Sequence, residues 1–96
     1  MNCLSNEKVF ELGERRKVTM RVWLNDGASF TPRNCTWKLL FAAAAESEGP
    51  CETEQDGSAW LLSCIVEPKQ RRTYKLQYGF ALGEEQILRT VLIKVV

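Results

Sequence analysis

Cys35-Thr36-Trp37-Lys38-Leu39-Leu40-Phe41-Ala42-Ala43-Ala44-Ala45-Glu46-Ser47 carries two conflicting signals. Cys35, Trp37, Leu39 and Phe41 fall at alternate positions, the period of a half-buried strand. The alanines that follow have strong intrinsic helix propensity. A helix over 31–47, opened by Thr31-Pro32, makes the chain α+β; a strand from Cys35 to about Ala44 makes it all-β.

The flanking sequence favours the strand. Lys17 to Leu24 sets Val18, Met20, Val22 and Leu24 on one face against Thr19, Arg21 and Trp23. Thr73 to Phe80 repeats the pattern with Tyr74, Leu76, Tyr78 and Phe80, and Gln86 to Val96 does so with Val91, Ile93 and Val95. Ser58 to Glu67 is apolar on both sides; its larger set, Trp60, Leu62, Cys64 and Val66, is assigned inward, leaving Leu61, Ser63 and Ile65 outward. A first strand covers Lys8 to Leu12 and stops at Gly13-Glu14. Glu48-Gly49-Pro50 reads as a turn, Cys51 to Glu54 as a short strand, and Asp56-Gly57 as a hairpin signal. The count is seven strands, with Val18, Met20, Val22, Trp37, Leu39, Leu62, Tyr74, Leu76, Tyr78, Val91 and Ile93 expected in the core.

The chain has 96 residues, room for one domain (1–96) with one core, and residues 1–6 are expected to form a flexible tail. Thirteen bases against twelve acids give +1, divided evenly between the two halves, so a phosphate-neutralising nucleic-acid binder is not expected. His is absent, which removes imidazole acid/base chemistry and His metal sites. The longest apolar stretches, Leu39 to Ala45 and Trp60 to Val66, are too short to cross a bilayer, so no membrane partner is expected. The first residues show neither a basic nor an apolar leader region, giving the expectation of cytoplasmic synthesis without a signal peptide. In that compartment Cys3, Cys35, Cys51 and Cys64 are expected to be reduced. Bridges from Cys64 to Cys35 or Cys51 are compatible with the strand pattern, and sequence does not fix a pairing.

Seven short strands in about 100 residues are the signature of an immunoglobulin-like sandwich. Gly13-Glu14 before Val18-x-Met20-x-Val22 resembles the start of that family's second strand, Trp37 its third-strand core Trp, and Tyr74-x-Leu76-x-Tyr78 its sixth strand. The resemblance implies an all-β, seven-stranded antiparallel immunoglobulin-like β-sandwich, with Tyr74 as the tyrosine-corner residue. Val22 and Leu76 stand where the antibody-type domains carry their inter-sheet cysteines. More loosely, the Asp56-Gly57 hairpin, the Trp60-Leu62 strand and the Pro68-to-Tyr74 corner resemble small immunoglobulin-like proteins encoded among tailed-phage or prophage structural genes, which implies a virion-associated product.

Several constellations bear on function. The cysteines lack any C-x2-C knuckle, so zinc is not expected, and no other cofactor motif is present. The seven-strand order gathers the loops holding Asp26, Asp56, Glu84 and Glu85 at one pole, a weak oxygen-ligand set for calcium, although Asp-Gly and Gly-Glu are also ordinary turn chemistry. The same carboxylates are the only candidates for a glycosidase pair, and a chain this small hardly encloses a substrate cleft, so small-molecule ligands are not favoured. Arg15, Arg16 and Lys17 share the other pole with Lys69, Arg71 and Arg72, a basic end for an acidic partner or a row of solvated turns. Trp23, Leu61 and Ile65 point outward from adjacent strands and form the candidate interface. The expectation is a non-enzymatic structural or interaction module that binds a protein partner or itself, or, as the alternative, a glycan- or calcium-binding module.

Overall fold

The structure is a computed structural model and describes residues 2–3 and 7–96. Its secondary structure is entirely β among those residues: β1 (Asn2–Cys3), β2 (Glu7–Phe10), β3 (Arg16–Trp23), β4 (Arg33–Phe41), β5 (Ala44–Pro50), β6 (Glu52–Asp56), β7 (Ala59–Val66), β8 (Thr73–Leu82) and β9 (Glu85–Val95). They form a four-stranded sheet in the order β1-β3-β7-β6 and a five-stranded sheet in the order β2-β9-β8-β4-β5. All pairs are antiparallel except β2 with β9. The result is a β-sandwich-like fold, and no helix occupies 31–47. Of the expected tail, Asn2 and Cys3 pair with Trp23 and Val22, while residues 1 and 4–6 lie outside the described residues.

The core follows from period-two alternation. Val18, Met20 and Val22 of β3 and Leu62, Cys64 and Val66 of β7 are buried, as are Tyr74, Leu76, Tyr78 and Phe80 of β8 and Val91, Ile93 and Val95 of β9. Each buried Val, Leu, Ile, Met or Phe among them stabilises the fold by about 1.5–3 kcal/mol relative to exposure. Ten of the eleven expected core residues are buried; Trp37 packs against the cluster but stays partly exposed. Phe10 of β2 is also fully buried.

The Cys35–Ser47 stretch corrects the expected boundaries. The strand ends at Phe41, and Ala42 and Ala43, with φ 49° and 66°, make a two-residue reversal. The remaining alanines begin β5, which runs back along β4 through Glu48, Gly49 and Pro50. Glu48 to Pro50 is therefore strand rather than turn. Gly49 lies opposite Trp37, and a Cβ there would stand 3.3 Å from the indole Nε1. Glycine at that position makes room for the ring, which is why it sits inside a strand. Phe41, expected inward by the alternation, is 41% exposed because it ends its strand at the hairpin tip. Beyond Pro50 the chain changes sheets: Cys51 donates its backbone N–H to Cys35 at 2.9 Å, and β6 then pairs with β7.

Candidate interaction surface

Trp23, Leu61 and Ile65 stand on the outer face of the β3–β7 pair. Lys17 is paired with Ile65, Thr19 with Ser63 and Arg21 with Leu61, and Trp23 follows one residue beyond the last β3–β7 pair. Leu61 and Ile65 are four residues apart, about 13 Å along the strand. Between them the Thr19 and Ser63 hydroxyls meet at 2.8 Å, and Ser63 is itself buried. Arg21 lies over the Trp23 ring, 5.3 Å from its centroid, and its Nε donates to Asp56 Oδ2 at 3.2 Å. Trp23 and Leu61 are half-buried, whereas Ile65 is 42% exposed. The polar pair divides the three residues into a Trp23–Leu61 corner and a separate Ile65.

Ile65 borders a groove that the sequence did not reveal. The β6–β7 pairing stops at Glu52 and Ser63, while β7 continues to Val66. From Cys64 onward the outer edge of β7 therefore has no strand beside it among the described residues. A cavity of ≈ 320 Å³ opens there, lined by Trp37, Gly49, Pro50, Cys64 and Ile65, with Lys17, Glu48, Glu52 and Ser63 around them. Lys17 is drawn toward Glu52, with Nζ to Oε2 at 3.8 Å.

Acids predominate in the chain along this margin, although Lys17 and Arg21 pair with two of them and Lys38 lies opposite a third. β5 and β6 are the edge strands of their sheets and are consecutive in the chain, so their carboxylates follow one flank of the sandwich. Residues 46–56 hold Glu46, Glu48, Glu52, Glu54 and Asp56 with no Lys or Arg, a local charge of −5. All thirteen bases and the other seven acids lie elsewhere and sum to +6. The near-neutral total conceals this run of acids, which is continuous in the sequence and which the strand order places along one flank.

Of the two basic clusters, Arg15 and Lys69 share one carboxylate. Arg15 Nε stands 4.0 Å from Glu67 Oε2, and Lys69 pairs with the same carboxylate, which holds Glu67 below its ordinary range chiefly through the Lys69 hydrogen bond. Arg16 covers the Phe10 ring at 4.5 Å and donates to the Val9 carbonyl oxygen at 2.8 Å. Arg72 covers Phe41 at 3.9 Å. Lys17 turns away toward the groove, and Arg71 is exposed. At the loop pole, Asp26 Oδ1 accepts from the Ala28 N–H at 2.9 Å, an ordinary turn bond, and Asp56 is engaged by Arg21. Glu84 and Glu85 occupy the β8–β9 reversal. Among the described residues no group of three or more Cys, Asp or Glu side chains is placed to hold a metal ion.

Cys35, Cys51 and Cys64 are free thiols. Burial raises Cys51 to about 12, with the nearby Cys64 and Cys35 adding to the shift. Burial also raises Cys64 to about 11, against the opposing effect of its hydrogen bond to Tyr78. Its Sγ donates to the Tyr78 oxygen at 3.6 Å, and the Tyr78 hydroxyl donates to the Val18 carbonyl oxygen at 2.8 Å. Thiols held this high stay protonated at neutral pH and are poor nucleophiles. Comparison of the chain with protein families, with characterised proteins and with solved structures finds no match.

Proposed function

We propose that this chain is an immunoglobulin-like, non-enzymatic interaction module that holds a protein partner at the groove beside Ile65. The fold reading is supported by the order β1-β3-β7-β6 facing β2-β9-β8-β4-β5, with β2 parallel to the last strand. Val22 and Leu76, where antibody-type domains carry cysteines, are fully buried. Tyr74 supports it as well: the backbone of Gln70, four residues upstream, hydrogen-bonds to its hydroxyl, which in turn donates to Glu46 Oε1 at 2.8 Å.

The observation that carries the functional reading is the groove itself. An indole, a proline and an exposed isoleucine line an open strand edge, a setting that excludes water from a docked segment while acids on the rim select its charge. A tailed-phage or prophage particle is the setting proposed from the sequence resemblance, and there the chain is expected to sediment with the particle. Ile65→Lys is the direct test of the groove. It should leave the melting temperature within about 0.5 kcal/mol equivalent of wild type, as surface substitutions do, and abolish partner or self-capture. Capture that survives this change unaltered sinks the groove as the binding site.

A further inference from the structure

We propose that the partner segment is the Phe41–Ala43 hairpin tip of a second copy of this chain, inserted head-to-tail into the groove between Trp37 and Ile65. This inference rests on the groove reading above.

The tip has the features of a plug. Phe41, Ala42, Ala43, Ala44 and Ala45 are all exposed, five consecutive apolar residues at a reversal where polar turn residues are the norm. Ala42 and Ala43 both hold positive φ, the conformation that Asn-Gly adopts readily and that side chains with a Cβ resist. The hairpin thus keeps an apolar tip at a conformational cost, the kind of local conflict that accompanies function. Two bases and one acid form its collar: Arg72 lies on the Phe41 ring, which also packs edge-on against Tyr74, Lys75 borders the hollow beside the tip, and Glu46, next to Ala45, accepts from the Tyr74 hydroxyl, which leaves the collar cationic by one charge. Among the described residues Lys75 makes no salt bridge.

The groove has the complementary character. Trp37, Pro50 and Ile65 offer apolar surface, and its ≈ 320 Å³ admits one aromatic side chain. Glu48 and Glu52 stand on its rim, and Lys17, the one base among its lining residues, lies 3.8 Å from Glu52, so the rim carries a net charge of −1. A cation-collared apolar tip therefore meets an acid-rimmed apolar groove. The same copy cannot satisfy both. Ala43 and Gly49 are six residues apart on one hairpin, about 20 Å along a strand paired to β4, so the tip cannot fold back into its own groove. Plug and socket are different surfaces, so the head-to-tail contact proposed is heterologous and propagates from copy to copy into a ring or an open row, in contrast to a reciprocal two-fold exchange, which closes at two copies.

Sedimentation of the full chain over a range of concentrations, at about 0.01 and 0.15 M salt, tests this. The expected result is concentration-dependent association, weaker at the higher salt. Phe41→Ser removes the plug and Ile65→Lys the socket; each variant alone should sediment as a monomer with wild-type circular dichroism. An equimolar mixture of the two retains one intact plug and one intact socket, so it should form a complex that stops at two copies. Association that persists in both variants, or a mixture that stays monomeric, overturns the proposal. A wild-type chain that is monomeric throughout overturns it as well. In that case a synthetic Arg-Leu-Phe-Ala-Ala-Arg peptide separates the two readings. Amide shifts confined to Trp37, Gly49 and Ile65 leave the groove as a docking site for another chain, and the absence of any shift removes the groove reading too.

Discussion

Ala42 and Ala43 show most directly how a single residue type can mislead. Alanine is the best helix former, yet these two occupy left-handed backbone because the chain must reverse in two residues between β4 and β5. A left-handed alanine costs roughly 1–2 kcal/mol. Replacing the pair by Asn-Gly should therefore raise stability by about 1 kcal/mol, a melting-temperature increase of about 4–8 °C for a domain of this size, measured by thermal unfolding. Lower stability in that variant would mean that the alanines contribute packing that outweighs the strain. Trp23 carries a different expectation. Arg21 covers its ring, and the residue is separated from the groove by the Thr19–Ser63 pair. Trp23→Ser should cost about 1–2 kcal/mol through lost burial and the lost cation–π contact, without changing association. Weakened association at unchanged stability would return Trp23 to the interface.

At the level of elements, the strands that alternate cleanly, β3, β8 and β9, were legible in the sequence because one face of each is buried and the other is solvated. β5 and β6 were harder to place. As edge strands they bury little: every residue of β6 is exposed, and β5 has only Ser47 and Gly49 half-buried. Their sequences therefore follow edge protection by charge, which resembles a polar loop. The groove was illegible for the same reason, since it exists only where β6 begins later than β7 requires and Gly49 leaves space for Trp37. Uneven burial predicts uneven opening. Among the described residues β6 is bonded to β7 alone, whereas β8 lies between β9 and β4 and carries four fully buried aromatic and aliphatic side chains. Amide hydrogen exchange should proceed through β6 by local fraying and through β8 only by global unfolding. Equal protection factors for Thr53 and Leu76 would show that the flank is held by something beyond β7.

For the whole molecule, the cysteines and tyrosines link the core to pH. With Cys35, Cys51 and Cys64 free, reductant should leave the melting temperature unchanged. Alkali should not. In the unfolded chain thiols titrate near 9.0 and tyrosines near 10.0, while the folded state holds Cys64 at about 11, Cys51 at about 12 and Tyr78 above the ordinary tyrosine range, each chiefly by burial. Raised values mean that the folded form keeps protons the unfolded form releases. Their stabilising contribution is therefore fully present below pH 9 and is lost as pH rises from 9 toward 12. Each such group contributes at most about 1.4 kcal/mol per pH unit within its window, and Cys51 less because it is partly solvent-exposed. Denaturant midpoints should be level from pH 6 to 8.5 and fall steeply above 9. Cys64→Ala removes one of these protons and should make the fall shallower, even though the lost packing lowers the midpoint at every pH. A midpoint that already slopes between pH 6 and 8, or a Cys64→Ala curve parallel to wild type above pH 9, would show that the buried thiol is not part of the alkaline transition.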